Sequence, residues 1–380
     1  MSCKILITGD FCPIGRNIQK IENNDYSLFG DFQSILKNAD FAITNLETPL
    51  TFSENKIMKT GPNIKGNPNA AKILSTVGFN LVTMANNHIL DYGKQGIEDT
   101  IMYCNQENLK YIGVGKNLEE AKKNYITTIN DIKIGFLNFA ENEFCSAKEN
   151  DYGANPINVI NNYYDIKNAK EKVDILFVIV HGGREHYQLP TPKQRERYRF
   201  YIDCGADVVV GHHTHCYSGC EIYKNKPVFY SLGNFIFDYK EKYQEGLWTQ
   251  GYGVMFTVNK KDVKFDLIPY KQGQKDNPQL KLLNEEDRKL FNEDIKLLNN
   301  IIVDDDLFKE EWSKYLTTQE KNYKGMLLLQ NPYIREVIKR GLLPSNFFHS
   351  KSHQLLLLNL LRCETHHEII TDILENELLN

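Results

Sequence analysis

Seven short apolar runs lie between residues 4 and 213, and they constrain the fold more than any other feature. They are KILITGD (4–10), FAITNLE (41–47), FNLVTMANNH (79–88), YIGVG (111–115), IKIGFLNFA (132–140), DILFVIVHGG (174–183) and ADVVVGHH (206–213). Each is rich in Val, Ile and Phe and short enough for a strand buried on both faces. Helical stretches such as NPNAAKILSTVG and GKQGIEDTIMYCNQEN stand between several of them, so the order of elements is α/β. One helix start is predicted in detail. Thr191 serves as N-cap, Pro192 takes the first helical position and Gln194 can close a capping box, so a helix should run to about Cys204 and stop at Gly205. Further on, residues 224–227 read as a hairpin turn, and GYGVMFTV and VKFDLIPY as two more strands.

 These strands add an antiparallel portion to the α/β core.

From about residue 280 the pattern changes. NEEDRKLFNEDIKLLNNII, DDDLFKEEWSKYL, NPYIREVIKRGLL and SHQLLLLNLLRCETHHEIITDILENELL all carry helical periodicity, so an all-helical appendage is expected, with residues 1–272 as the α/β domain and 273–380 as the helical region. The apolar run in the last segment is too short for a membrane span, and the N-terminus, MSCKILITGDF, lacks the apolar stretch of a signal peptide, which leads to the expectation of a cytoplasmic protein. With 41% hydrophobic and 25% charged residues and a formal net charge of −4, the chain has no field to gather nucleic acid. Eight scattered cysteines without a CxxC pair argue against a disulfide framework. Cys216 and Cys220 lack a second Cys or His pair to complete a structural zinc site.

The apolar runs end in residues able to bind a metal: Asp10, Glu47, Asn87 with His88, His181, and His212, His213 and His215. In an α/β sheet the carboxyl ends of parallel strands share one edge, where sites form. Singly, each residue has a plainer role: Asp10 as a helix cap, Glu47 as a solvated charge, Asn87 as a turn former. His186, His349, His366 and His367 are read as surface or solvated histidines. Together, two carboxylates, an amide and three imidazoles form a donor set for a borderline divalent ion, one or two of Mn, Fe or Zn.

In order, GD (9–10), NLE (45–47), ANNHILDYG (85–93), HGGRE (181–185), GADVVVGHHTH (205–215) and FYSLGNFIFD (229–238) resemble the CapA, or poly-γ-glutamate capsule biosynthesis, family of the calcineurin-like metallophosphoesterase superfamily. The resemblance implies a four-layer α/β/β/α sandwich with a dinuclear site on one edge. By position, it implies that Asp10 and His215 bind the first metal, that Glu47 bridges, and that Asn87, His181 and His213 bind the second. It gives His88 the role of stabilising the reacting phosphate and protonating the leaving group. The superfamily's Asp-x-His reads Asp10-Phe11-Cys12 here. A thiolate at Cys12 could replace the imidazole, but a thiol is a weak ligand, and Cys12 is read as a non-ligand that leaves the first metal under-coordinated.

Arg16 and Arg184 are candidates to offer forked donors to phosphate or carboxylate, with surface salt bridges as the plainer reading. Glu185 is a candidate to fix the tautomer of a ligating imidazole. Asn234 and Asp238 are read as rim or turn residues. The expected function is hydrolysis of a phosphoester, or less readily a γ-glutamyl amide, in a phosphorylated or polyanionic substrate. The alternative is a metal-bearing scaffold that binds an anionic polymer or a synthase partner among polysaccharide or polyglutamate biosynthesis proteins. Relatives tied to export often carry a membrane anchor; the expectation that this chain has none weakens an export role.

Overall fold

The alternation within Cys3–Cys12 decides what that strand packs against. Ile5 and Ile7 join a cluster with Ile134, Phe136, Phe177 and Val209, whereas Leu6 joins Ala70, Ile73, Leu74 and Ile97. Ile43 and Leu81 repeat the first choice in the neighbouring strands, and Ala42 and Val82 the second. A strand with two apolar faces needs a partner layer on each, and this chain supplies a second sheet on one side and helices on the other.

The computed structural model describes residues 2–59, 61–328 and 332–344. Its first sheet has eight strands, with Lys281–Leu282, Val263–Lys271, Gln250–Val258, Cys3–Cys12, Phe41–Leu46, Leu81–Thr83 and Lys110–Ile112 side by side and Asn234–Phe237 pairing with the end of Cys3–Cys12. The second has six, in the order Cys220–Tyr223, Lys226–Phe229, Val208–His212, Ile175–His181, Ile132–Ala140 and Tyr125–Ile129. Phe41 stacks on Phe136 and Phe177 meets Phe256 edge-on, with centroids 5.6 and 5.2 Å apart, and these pairs join the two sheets. Helices Asn69–Val77 and Gly93–Gln106 cover the first sheet, and Val159–Lys170 and Pro192–Cys204 the second. The result is the expected α/β/β/α sandwich, metallophosphatase-like in its layers. Fully burying each such Ile, Leu or Phe contributes about 1.5–3 kcal/mol.

Parallel pairing runs from Cys3–Cys12 through Lys110–Ile112 and from Ile132–Ala140 through Lys226–Phe229. The carboxyl ends of the central strands therefore gather along one edge of each sheet. In register, Asp10 lies beside Asn45 and Asn234 in the first sheet, and His181 beside His212 in the second.

Local signals are realised closely. Thr191 and Gln194 form the reciprocal capping box, and the helix Pro192–Cys204 ends at Gly205 with φ 123°. Lys224 and Asn225 both have positive φ, the geometry of a tight type I′ hairpin turn. The run at 111–115 differs from expectation. It breaks at Gly113 (φ 87°), where a Cβ would meet Asn138 Oδ1 at 2.1 Å, and Val114–Gly115 leaves the sheet to pair with Gly153–Ala154.

Two compact units are present, Met1–Asp305 and Asp306–Asn380. Helix Glu285–Val303 belongs to the first, beyond the boundary drawn at residue 272. Its Phe291 meets the rings of Tyr217 and Tyr252 at 5.2 and 5.7 Å, and Asp294 accepts the Tyr217 hydroxyl at 2.6 Å. Helix Asp305–Leu328 begins at the end of the first unit, and Pro332–Lys339 lies in the second. The helical segment expected after residue 351, with Cys363, His366 and His367, lies outside the described residues, as does His349. Among the described residues no helix is long and apolar enough to cross a membrane.

Candidate metal centre

Asp10, Glu47, His181, His213 and His215 are brought together from distant parts of the chain, Asp10 and His213 being 203 positions apart. Two overlapping groups form, Asp10 with Glu47 and His215, and Glu47 with His181 and His213, each with its ligand atoms within 4.8 Å of one another. Glu47 is common to both. His181 Nε2 lies 3.0 Å from His213 Nδ1, 3.1 Å from Asn87 Oδ1 and 3.6 Å from Glu47 Oε1. His215 Nε2 lies 3.6 Å from the same Glu47 oxygen.

The turn after Val208–His212 is strained so that it can deliver two imidazoles. His213 has φ 92° and His215 φ 57°, left-handed values that cost a non-glycine residue on the order of 1–3 kcal/mol when so held. The His213 N–H donates to Asp10 Oδ2 at 3.1 Å, and Thr214 Oγ1 donates to the Cys216 carbonyl at 2.8 Å. These bonds close the turn over the carboxylate.

Burial sets the charge states. Burial and the charge of Asp10 push the Glu47 carboxyl well above the usual range. Burial also opposes ionisation of Asp10, yet the imidazoles around it, His212 foremost, hold it well below that range. Burial pulls His213 and His215 down to about 4, and His181 lower than its ordinary value too, so the imidazoles are neutral at pH 7 with lone pairs available. Among the described residues neither oxygen of Glu47 finds a hydrogen-bond donor, although the residue is fully buried. A buried carboxylate left in that state is costly, and a cation shared between the two groups would satisfy it. The residues present thus fit a divalent metal, and the mixed nitrogen and oxygen donors suit Mn, Fe or Zn.

Several neighbours hold the donors in place. Asn45 Nδ2 donates to Asp10 Oδ1 at 2.7 Å and lies 3.1 Å from His181 Nδ1. Asn234 Oδ1 is 3.0 Å from His215 Nδ1, and its amide donates to the His215 and Trp248 carbonyls. Asp91 Oδ2 is 2.7 Å from His88 Nδ1. His212 Nδ1 lies 3.2 Å from Asp10 Oδ1. The sequence reading missed the roles of Asn45, Asp91 and Asn234, although all three stand inside the quoted motifs.

The other residues named from the sequence are placed as follows. Arg16 takes the plainer salt-bridge reading: its guanidinium forks onto Asp238 through two 2.8 Å bonds and donates to the carbonyls of Gly273, Gln274 and Lys275. Asp238 is thereby an anchor for Arg16. Glu185 is exposed, and the ring nitrogens of His181, His215 and His88 lie against Asn45, Asn234 and Asp91. Arg184 is half-buried in the loop after His181, where its carbonyl accepts the Tyr187 N–H. His186 stacks on Tyr243 at 5.6 Å. Cys12 packs with Ile64, Phe237 and Trp248, and burial, then the charges of Glu47 and Asp10, push its thiol far above the ordinary range. Among the described residues neither ligand group includes a cysteine, and the described cysteines are free.

The architecture is an α/β/β/α sandwich whose cluster of carboxylates and imidazoles lies at the carboxyl ends of its parallel strands. The family described as bacterial capsule synthesis protein PGA_cap matches residues 4–239, and the chain belongs to that family. It is 34% identical over 231 residues to the PGA biosynthesis protein CapA of Bacillus subtilis (strain 168), covering 59% of this chain and 61% of that one. It is 31% identical over 237 residues to the capsule biosynthesis protein CapA of Bacillus anthracis, covering 59% and 57%. The match thus spans about three fifths of the length of these relatives. A solved structure described as a novel phosphatase from Mycoplasma pneumoniae aligns with TM-score 0.47 and 17% identity, over 73% of this chain and 96% of that one.

Proposed function

We propose that this chain is a metal-dependent hydrolase of a phosphoester. The observation that carries the reading is Glu47, buried, without a hydrogen-bond donor among the described residues, and common to both ligand groups. Asp10, Glu47 and His215 would hold one ion, and Glu47, Asn87, His181 and His213 a second. When bound, divalent ions supply positive charge to a phosphate and lower the pKa of water toward roughly 7. Asn45 and the His213 N–H keep Asp10 ionised and oriented. With His88 Nδ1 turned to Asp91, Nε2 is the nitrogen left to exchange a proton with a leaving group. The family and the names of its relatives support a substrate from polyglutamate capsule or polysaccharide metabolism, phosphorylated or polyanionic, with γ-glutamyl amide hydrolysis as the lesser option.

One observation favours a second reading. Cys12 lies in an apolar cluster, so the first group has three protein ligands, which suits a metal-bearing scaffold that binds an anionic polymer or synthase partner. Elemental analysis followed by assays on phosphomonoesters, phosphodiesters and γ-glutamyl amides separates the two. Turnover that requires bound metal supports the hydrolase. A fully loaded protein that cleaves none of them is the scaffold.

A further inference from the structure

Adjacent residues in the connection after Phe41–Leu46 are exposed in the wrong order for a surface loop. Met58 is 73% exposed, while the Lys59 side chain is 3% exposed. Burying a lysine and leaving a methionine in water is unfavourable unless the lysine has a partner and a purpose. Its partner is Asp91, whose side chain is fully buried. Lys59 Nζ also donates to the Asn87 carbonyl at 3.0 Å and lies 3.3 Å from His88 Nδ1.

The other bonds of Asp91 hold the same stretch of chain. The Ile57 N–H and Asn63 Nδ2 donate to the Asp91 carbonyl, each at 3.0 Å, and the Ile64 N–H donates to Asp91 Oδ2 at 2.8 Å. That oxygen is the one 2.7 Å from His88 Nδ1. A single carboxylate thus orients the imidazole and anchors the loop. Moving the loop must disturb the bond to His88, because both use one oxygen, and Lys59 neutralises the charge that makes the arrangement tolerable.

We propose that Lys59 is a positioning residue: by clamping Asp91 and the Asn87 carbonyl, it couples Ile57, Asn63 and Ile64 to the orientation of His88. Substrate contacts on this loop are then felt at the imidazole. The effect on rate rests on the hydrolase reading, but the clamp does not.

The test uses full-length Lys59→Met and Lys59→Arg proteins. Zinc-loaded samples report amide exchange at Ile57 and Ile64 and the ring nitrogen signals of His88, and manganese-loaded samples report metal content and kcat. In Lys59→Met the two amides should exchange about tenfold faster or more, and the His88 signals should move from the Nδ1–H tautomer toward a mixture. Metal content should hold while kcat falls about ten- to a hundredfold, and Lys59→Arg should recover much of the loss. Lys59→Gln gives the same readings if the methionine variant does not fold. Unchanged exchange and unchanged His88 signals overturn the clamp. Faster exchange with His88 signals and kcat unmoved overturns the coupling. If the wild-type protein cleaves nothing, the hydrolase reading fails, and exchange with the His88 signals still decides the clamp.

Discussion

The two halves of the candidate centre share Glu47 and differ in almost everything else. One would draw on Asn87 from the loop after Leu81–Thr83, on His181 at the end of its strand and on His213 in the turn after Val208–His212, four candidate donors in all with Glu47. The other has Asp10 and His215, and the position where an Asp-x-His pattern would supply an imidazole is Cys12, turned into an apolar cluster. The difference teaches that a carboxylate common to both groups would not make them equal sites. Affinity follows the number and type of donors, and the poorer half should lose its ion first.

The largest effect should come from the residue common to both halves. Glu47→Ala is expected to bring bound metal and any metal-dependent turnover to background in a protein that remains folded by circular dichroism. Two ions retained by that variant would break the comparison at its root. His88→Asn comes next, because it leaves every candidate ligand in place: kcat should fall by roughly 10²–10⁴ while elemental analysis stays near wild type.

The third prediction concerns pH in the metal-stripped protein. His213 and His215 sit at about 4 in the fold against 6.5 ordinarily, so the unfolded chain binds protons more readily than the native one. Stability should be full above pH 6.5 and fall as pH drops toward 4, by on the order of 3 kcal/mol per histidine. Urea midpoints measured between pH 7.5 and 4.5 in chelator check this, and a flat profile would falsify the burial of neutral imidazoles. The smallest effect sharpens the contrast between the halves. Cys12→His should tighten the weaker of two manganese-binding steps on the order of tenfold, equivalent to ~1.4 kcal/mol, and leave the stronger step unmoved. Calorimetric titration that shows both steps unchanged would mean that position 12 cannot reach the ion.

Much of the frame was legible because its signals are local. The apolar runs, the capping box at Thr191 and the turn at residues 224–227 depend on neighbours within a few residues, and the structure repeats them. The break at Gly113 was not legible, since it answers to Asn138 in another strand. The strand-end donors could be listed from their positions. What each donor leans on could not, as Asn45 and His181 are 136 residues apart and Arg16 and Asp238 are 222 apart.

The sequence by itself therefore determined the α/β order, the strands with two apolar faces, and the residues gathered at their carboxyl ends, because periodicity and turn chemistry act over a few residues. Only the tertiary structure decided that Arg16 serves Asp238, that Cys12 faces an apolar cluster, and that Lys59 is buried against Asp91. Each of those outcomes is set by which distant groups share a desolvated space, where an unpaired charge or polar atom costs several kcal/mol and the chain arranges its partners accordingly.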